Sequence, residues 1–116
     1  MKRLRHSDRV DLLQGTLDLL VLRTLIHGPL YGHGIAKAIQ RSSQDLLLVE
    51  HGSLYPALHR LVRKGWLTAG WEGTPSGRPM KFYRLTQAGR KQLVVEQSKW
   101  EQVTRAVQMV LRRVEQ

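Results

Sequence analysis

The chain has 116 residues, enough for one domain with a modest core, and its 19 lysines and arginines against 9 acidic residues give a formal charge of +10. A protein this small and basic commonly has a polyanionic partner, either nucleic acid or an anionic membrane surface. The absence of cysteine excludes disulfides, thiolate nucleophiles and cysteine-ligated zinc. The apolar runs are too short to span a bilayer or form a signal peptide, so the sequence predicts a cytoplasmic protein.

Two helices are predicted in the first part of the chain. The first is expected from about residue 16 to residue 27, ending at Gly28, because apolar residues recur at helical spacing: Leu17, Leu20, Val21 and Leu25. The second is expected within "LYGHGIAKAIQR", and its inner face carries Ile35, Ala38 and Ile39. A short strand is then predicted at Leu48–Val49.

The stretch "HGSLYPALHRLVRKGWL" predicts a third helix that contains a proline. Ser53 has the side chain of a good N-cap, and with Ser53 as the cap Pro56 is the third helical residue, where a missing N–H costs little. Gly65 supplies the C-terminal stop. The buried stripe is expected at positions i, i+4, i+7 and i+8: Leu54, Leu58, Leu61 and Val62.

The rest of the chain predicts a hairpin and a long helix. Two β-like runs, "WLTAGWE" and "MKFYRLT", flank a tip of turn-forming residues, and Thr86 caps the final helix. The expected fold class is mainly α (α+β), a winged helix-turn-helix with a long C-terminal dimerisation helix. Three regions follow: a flexible basic arm over residues 1–11, the DNA-binding domain over residues 12–86 and the dimerisation helix over residues 87–116.

The outward face of the third helix suits double-stranded DNA, because this helix enters the major groove in a winged helix-turn-helix. Arg78 and Lys81 on the hairpin tip can reach a phosphate or the minor groove. The competing interpretation packs the Tyr55 ring on a neighbouring helix and leaves Arg60 solvated. The candidate DNA-binding residues on the third helix are Ser53, Tyr55, Pro56, His59, Arg60 and Arg63.

Three stretches of the sequence resemble the PadR family of transcriptional regulators. They are "LLQGTLDLLVLRTLIHGPLYGHGIAKAI", "GSLYPALHRLVRKGWL" and "SGRPMKFYRLTQAGRKQL", and the similarity runs from about Leu12 to the end of the chain. The resemblance implies a homodimeric winged-helix repressor, in the short form of the family, that binds a palindromic operator and is released by a small molecule or another signal. It also implies DNA contacts at Tyr31, Gly32, Ser53, Tyr55 and Pro56, and wing contacts at Arg78 and Lys81.

The last helix predicts a homodimer. Its first turns are expected to fold on the protomer's own core, and the part beyond Trp100 is expected to meet a partner subunit together with the first helix. Trp100 is either plain interface packing or one wall of a flat pocket for a planar effector. Only Glu96 interrupts the predicted coiled-coil seam, which consists of Leu93, Trp100, Val103, Val107, Val110 and Val114.

Other functions compete with specific DNA binding. A nonspecific architectural nucleic-acid binder accounts for the charge equally well, whereas the polar, shaped face of the third helix favours sequence readout. The sequence has no metalloprotease, nucleophile-elbow or phosphate-loop motif, so neither an enzyme nor a cofactor is predicted. His51, His59 and Glu50 lack a recognisable ligand pattern, so no metal is predicted either. A winged helix used only for protein contacts fits the charge less well.

Overall fold

The computed structural model describes residues 14–113, with side chains as far as residue 112. This part of the chain forms α1 (Gln14–Thr24), β1 (Leu30–Tyr31), α2 (Gly32–Ser42), α3 (His51–Arg63), β2 (Leu67–Glu72), β3 (Met80–Leu85) and α4 (Gln87–Arg113). The predicted fold class, mostly helical with a small antiparallel sheet and a long final helix, is confirmed. The basic arm predicted over residues 1–11 and the seam residue Val114 lie outside the described residues. Between residues 14 and 113, no helix is long and apolar enough to cross a membrane.

The core forms where α1, α2 and α3 pack together and against the hairpin. The stripe predicted for α3 faces this core, with Leu54, Leu58 and Leu61 fully buried and Val62 packed at the edge. Burying such side chains is the main stabilising term for a domain of this size, at roughly 1.5–3 kcal/mol for each one fully removed from water. The outward side of α3 is therefore defined by the packing of its inward side.

The inner face of α2 is rotated slightly from its predicted position. Ile35 and Ile39 are buried as expected, but the alanine in the core is Ala36, and Ala38 is only half-buried. The rotation follows from α1, which packs against one side of α2 and leaves Ala38 lining a surface groove between the two helices.

The sheet has the strand order β1-β3-β2, all antiparallel, so β3 is paired on both edges. β1 places Leu30 opposite Tyr83 and Tyr31 opposite Phe82. The strand predicted at Leu48–Val49 is wrong: these residues form no strand, and the Val49 side chain is buried in the core. The third strand of the sheet is instead β1, directly before α2.

The prediction for the start of α3 is also wrong. The helix begins at His51, about one turn before the predicted start, and its N-cap residue is Glu50, not Ser53. The backbone carbonyl of Glu50 accepts the first hydrogen bonds of the helix, from the amides of Ser53 at 3.1 Å and Leu54 at 3.0 Å, and the Glu50 side chain makes no cap hydrogen bond. Pro56 is consequently the sixth residue of the helix, and it removes the bond to the Gly52 carbonyl. Gly52 is exposed, so water can serve that carbonyl.

The end of α3 and the beginning of α4 meet at one joint. Gly65 has a left-handed conformation (φ 78°), which lets the Trp66 amide donate to the Leu61 carbonyl at 3.0 Å and ends α3 as predicted. Thr86, the predicted cap of α4, accepts a hydrogen bond from the Gly89 amide at 2.9 Å and donates one to the Gly65 carbonyl at 2.7 Å. A Cβ at Gly89 would overlap the Trp66 carbonyl oxygen. The hairpin and α4 are therefore held close to the end of α3.

Candidate nucleic-acid interface

The outward side of α3 carries hydroxyl, phenol, imidazole and guanidinium groups that are open to solvent. Groups of these types address base edges and phosphates in DNA complexes. Five of the six candidate residues predicted on this helix are exposed: Ser53, Tyr55, Pro56, His59 and Arg63.

Arg60, the sixth candidate, is directed elsewhere. Its guanidinium forms an ion pair and hydrogen bond of 2.9 Å with the carboxylate of Asp18 on α1, and both side chains are largely buried. Burial raises the pKa of Asp18 above its usual range, against the opposing attraction of Arg60. Arg60 thus ties α3 to α1 and is not among the exposed residues on the DNA-facing side of α3.

The raised pKa of Asp18 predicts the effect of Asp18→Asn. The pKa of Asp18 in the folded state is above its unfolded value of about 3.9. Ionisation of Asp18 therefore lowers the free energy of unfolding, and this loss is complete at pH values above the raised pKa. This cost is relieved as pH falls towards 4. Asparagine avoids the cost and can still accept a hydrogen bond from Arg60, so the variant is expected to lose little or no stability at pH 7.

Urea unfolding of the two proteins at several pH values tests this expectation. Wild type should gain stability relative to Asp18→Asn as pH falls from 7 to about 4, the region of the ordinary carboxyl pKa. A wild-type advantage that instead grows as pH rises would contradict the stated balance between burial and ion pairing at Asp18.

Tyr55 lies across the first turn of α2 and is still 37% exposed. A Cβ added to Gly32 would lie 2.6 Å from the Tyr55 hydroxyl oxygen and 2.9 Å from the ring, so only glycine permits this approach. The packing expected by the competing interpretation is therefore present, but it does not remove the ring from solvent. Tyr55 is both held in place by α2 and accessible to a ligand.

Gly32→Ala should displace the Tyr55 ring without disturbing the core. Because the ring is at the surface and can move, we expect nearly unchanged thermal unfolding. DNA affinity should fall roughly threefold to tenfold, part of the value of one base contact. Fluorescence anisotropy with a labelled duplex measures the affinity. Gly15→Ala on α1 is the matched control, because a Cβ there meets nothing within 4 Å; equal affinity of the two variants would disprove the positioning role of Gly32.

Aromatic rings connect the sheet to α3 on this side of the molecule. Tyr31 packs edge-on against Phe82, with ring centroids 5.9 Å apart, and lies 6.3 Å from the ring of His33. His33 and His51 are 5.8 Å apart, and His51 is 5.7 Å from Tyr55. The contact between His33 and His51 was not predicted from the sequence, because only the packing of α2 on α3 makes these two residues neighbours. In the described part of the chain, no three histidine or acidic side chains gather as metal ligands.

The tip of the hairpin is shaped by hydrogen bonds within the turn. The Thr74 hydroxyl donates to the Arg78 carbonyl at 2.7 Å, and the left-handed Gly77 (φ 85°) donates its amide to the Thr74 carbonyl at 2.8 Å. Arg78 is exposed on this tip, and the ammonium of Lys81 lies 6.0 Å from the centroid of the Tyr83 ring. Both predicted wing cations are therefore on the side of the hairpin that adjoins α3.

A groove of about 390 Å³ separates α3 from the wing. It brings together candidate residues from four elements and from the hairpin tip, and it adds one that was not predicted from the sequence, the exposed Trp71 of β2. The alternation of Leu67 and Trp71 on one face of β2 was the available signal. The predicted residues that line the groove are Tyr31, Gly32, Tyr55, His59, Arg78 and Lys81.

α4 extends about 40 Å and carries an apolar stripe that the protomer leaves uncovered. Leu93 does not belong to this stripe: it is 4% exposed and packs in the protomer's own core, so its predicted place in the dimer seam is wrong. Leu111, one turn beyond Val107, was missed and is exposed on the same face. The exposed stripe consists of Trp100, Val103, Val107, Val110 and Leu111.

Comparison with known proteins identifies the family. Residues 21–95 match the model of the transcriptional regulator PadR-like family. Transcriptional regulator Rv3488 of Mycobacterium tuberculosis is 37% identical over 75 residues, covering 65% of this chain and 68% of that protein. A PadR family regulator from Eggerthella lenta is 32% identical, with a TM-score of 0.73 over 84% of this chain and 83% of that one. A transcriptional regulator from Clostridium thermocellum is 26% identical, with a TM-score of 0.74 over 81% and 91%. The chain therefore belongs to the PadR-like family of transcriptional regulators.

Proposed function

We propose that this protein is a sequence-specific DNA-binding regulator, a repressor that binds a palindromic operator as a homodimer in the cytoplasm. The observation that carries the proposal is the exposed face of α3, where Tyr55 and His59 line a groove beside a basic wing and Ser53 is open to solvent. In this arrangement α3 enters the major groove and the wing lies over the adjacent minor groove.

A nonspecific architectural binder is the alternative. Phosphate binding requires only cations, which a charge of +10 supplies on either account. Base readout requires directional donors and acceptors held at fixed positions. The Tyr55 phenol meets that requirement, because its ring is packed against Gly32 on one side and adjoins His51 on the other. A polar group positioned in this way favours readout.

The uncovered stripe of α4 supports the homodimer. An apolar face of this length is unusual on a monomer, and two copies related by a twofold axis would cover it reciprocally. The proposed interface consists of Trp100, Val103, Val107, Val110 and Leu111. Such a dimer would present its two α3 helices to successive major grooves about 34 Å apart, or a near multiple, which is the reason to expect a palindrome.

Release by a small molecule is proposed at the groove between α1 and α4, which shares Trp100 and Val103 with the proposed dimer interface, so that Trp100 would serve both. This groove has a volume of about 310 Å³, and Trp100 and Leu19 give it apolar walls suited to a planar effector. α1 also carries Asp18, the ion-pair partner of Arg60 on α3. A ligand that favours one position of α1 would therefore shift the population of α3 orientations.

Selection of bound duplexes from a random pool at physiological salt tests the proposed function. An enriched inverted repeat would support a dimeric, sequence-specific regulator. Strong binding without an enriched sequence would instead support the architectural alternative. Physiological salt is essential, because phosphate contacts alone give strong binding at low salt.

A further inference from the structure

The inner face of the hairpin continues past the end of the hydrophobic core. Successive inward pairs of β2 and β3 are Leu67 with Leu85, Ala69 with Tyr83, and Trp71 with Lys81. Leu67 and Tyr83 are buried. Ala69 is already exposed, and the third pair, on the same face, borders the open groove between the wing and α3.

Trp71 is therefore on the groove side of β2, with most of its surface uncovered. It is 70% exposed, the largest exposed fraction among the large apolar side chains that the structure describes. Leaving an indole in water forgoes the stabilisation that its burial would give. It is opposite Lys81, on a wall of the groove shared with Tyr55 and His59, where a ligand in the groove would cover it.

The surroundings of Trp71 select the chemistry of that ligand. Lys81 and Arg78 line the same groove and carry positive charge. The neighbouring acidic residue, Glu72, is ion-paired with Arg84 across the hairpin. The groove thus combines cations with flat aromatic side chains, of which Trp71 is the most exposed, and this combination suits a polyanion that also has apolar faces.

We propose that the indole of Trp71 packs on a deoxyribose of the DNA strand that runs between α3 and the wing, while Lys81 and Arg78 contact the flanking phosphates. This inference rests on the proposed DNA-binding function. When α3 occupies the major groove and the wing the minor groove, the sugar-phosphate backbone dividing them must cross this groove. The carbon atoms of the sugar supply the apolar surface, so Trp71 adds affinity without adding charge.

The test compares Trp71→Ala, Trp71→Phe and Lys81→Ala by measuring duplex affinity at several salt concentrations. Trp71→Ala should weaken binding roughly tenfold, as for loss of an aromatic contact to a nucleotide, and Trp71→Phe should retain most of the affinity. A sugar contact releases no counterion, so the slope of log affinity against log salt should be unchanged in Trp71→Ala. The slope should fall in Lys81→Ala by about 1.

Each outcome bears on the inference separately from the proposed function. If Trp71→Ala binds the duplex as tightly as wild type does, the sugar contact is overturned while DNA binding itself stands. A reduced salt slope in Trp71→Ala would also overturn it, because the residue would then act by placing a phosphate-binding cation. A wild type that binds no duplex would overturn the proposed function itself. Because Trp71 is exposed, thermal unfolding of its variants should match wild type.

Discussion

Val107→Asp is expected to abolish the homodimer and most of the affinity for the operator. Val107 is 50% exposed in the protomer and central in the proposed interface between two α4 helices. Twofold symmetry would place two carboxylates at an apolar seam, where an unpaired buried charge costs several kcal/mol. The dissociation constant of the dimer should therefore rise by at least about a hundredfold, since each 1.4 kcal/mol is a factor of ten. Operator affinity should fall about a hundredfold or more with loss of the linked second half-site.

Sedimentation velocity and operator titration measure the two effects. Met109→Asp is the matched control, because Met109 is 57% exposed and is on the opposite side of α4 at 3.6 residues per turn. This control should remain dimeric and bind DNA normally. A Val107→Asp protein that sediments as a dimer at micromolar concentration would refute the proposed interface.

Tyr55→Ala is expected to weaken operator binding about tenfold or more, in line with 1–3 kcal/mol for a good base contact. Binding to random duplex should fall much less, because phosphate contacts carry most of that affinity. The difference arises from the position of the phenol, which Gly32 allows to approach α2 closely. Alanine removes both the hydroxyl and the ring that occupies this position.

Tyr55→Phe separates those two contributions. Phenylalanine keeps the ring packed on Gly32, so any affinity lost by this variant reports the hydroxyl alone. Competition of an unlabelled random duplex against the labelled operator gives the specificity ratio of each protein. Equal losses on operator and random DNA in Tyr55→Ala would reject a readout role and leave Tyr55 as a packing residue.

Short-range periodicity predicted the elements that matter most for the interface. The stripe from Leu54 to Leu61 identified the face of α3 that is buried, and thereby the face that is open. Thr86 was identified as a cap because its side chain can serve an amide of the first turn, which it does at Gly89. Features of this kind depend on neighbours within a few residues, so the sequence carries their signal directly.

Features that depend on distant residues could not be predicted in this way. The partner of Arg60 is Asp18, 42 positions away, and no local pattern indicates that pairing. The start of α3 was misplaced because the helical hydrogen bonds already begin at the Glu50 carbonyl, one turn before Ser53, without the side-chain cap that the prediction used as its signal. Leu93 has the heptad spacing of the seam, and only the packing of α4 on α1 shows that it belongs to the core.

Amide hydrogen exchange of the full chain, with and without excess duplex DNA, tests the proposed DNA-binding face directly. The first turn of α3 has free backbone amides, and the wing tip over residues 73–79 is a turn, so bound DNA should slow exchange at both. The C-terminal half of α2, on the far end of that helix from Tyr31, should be unaffected. Protection confined to α4 or to that half of α2, with none in α3 or the wing, would contradict the proposed DNA-binding face.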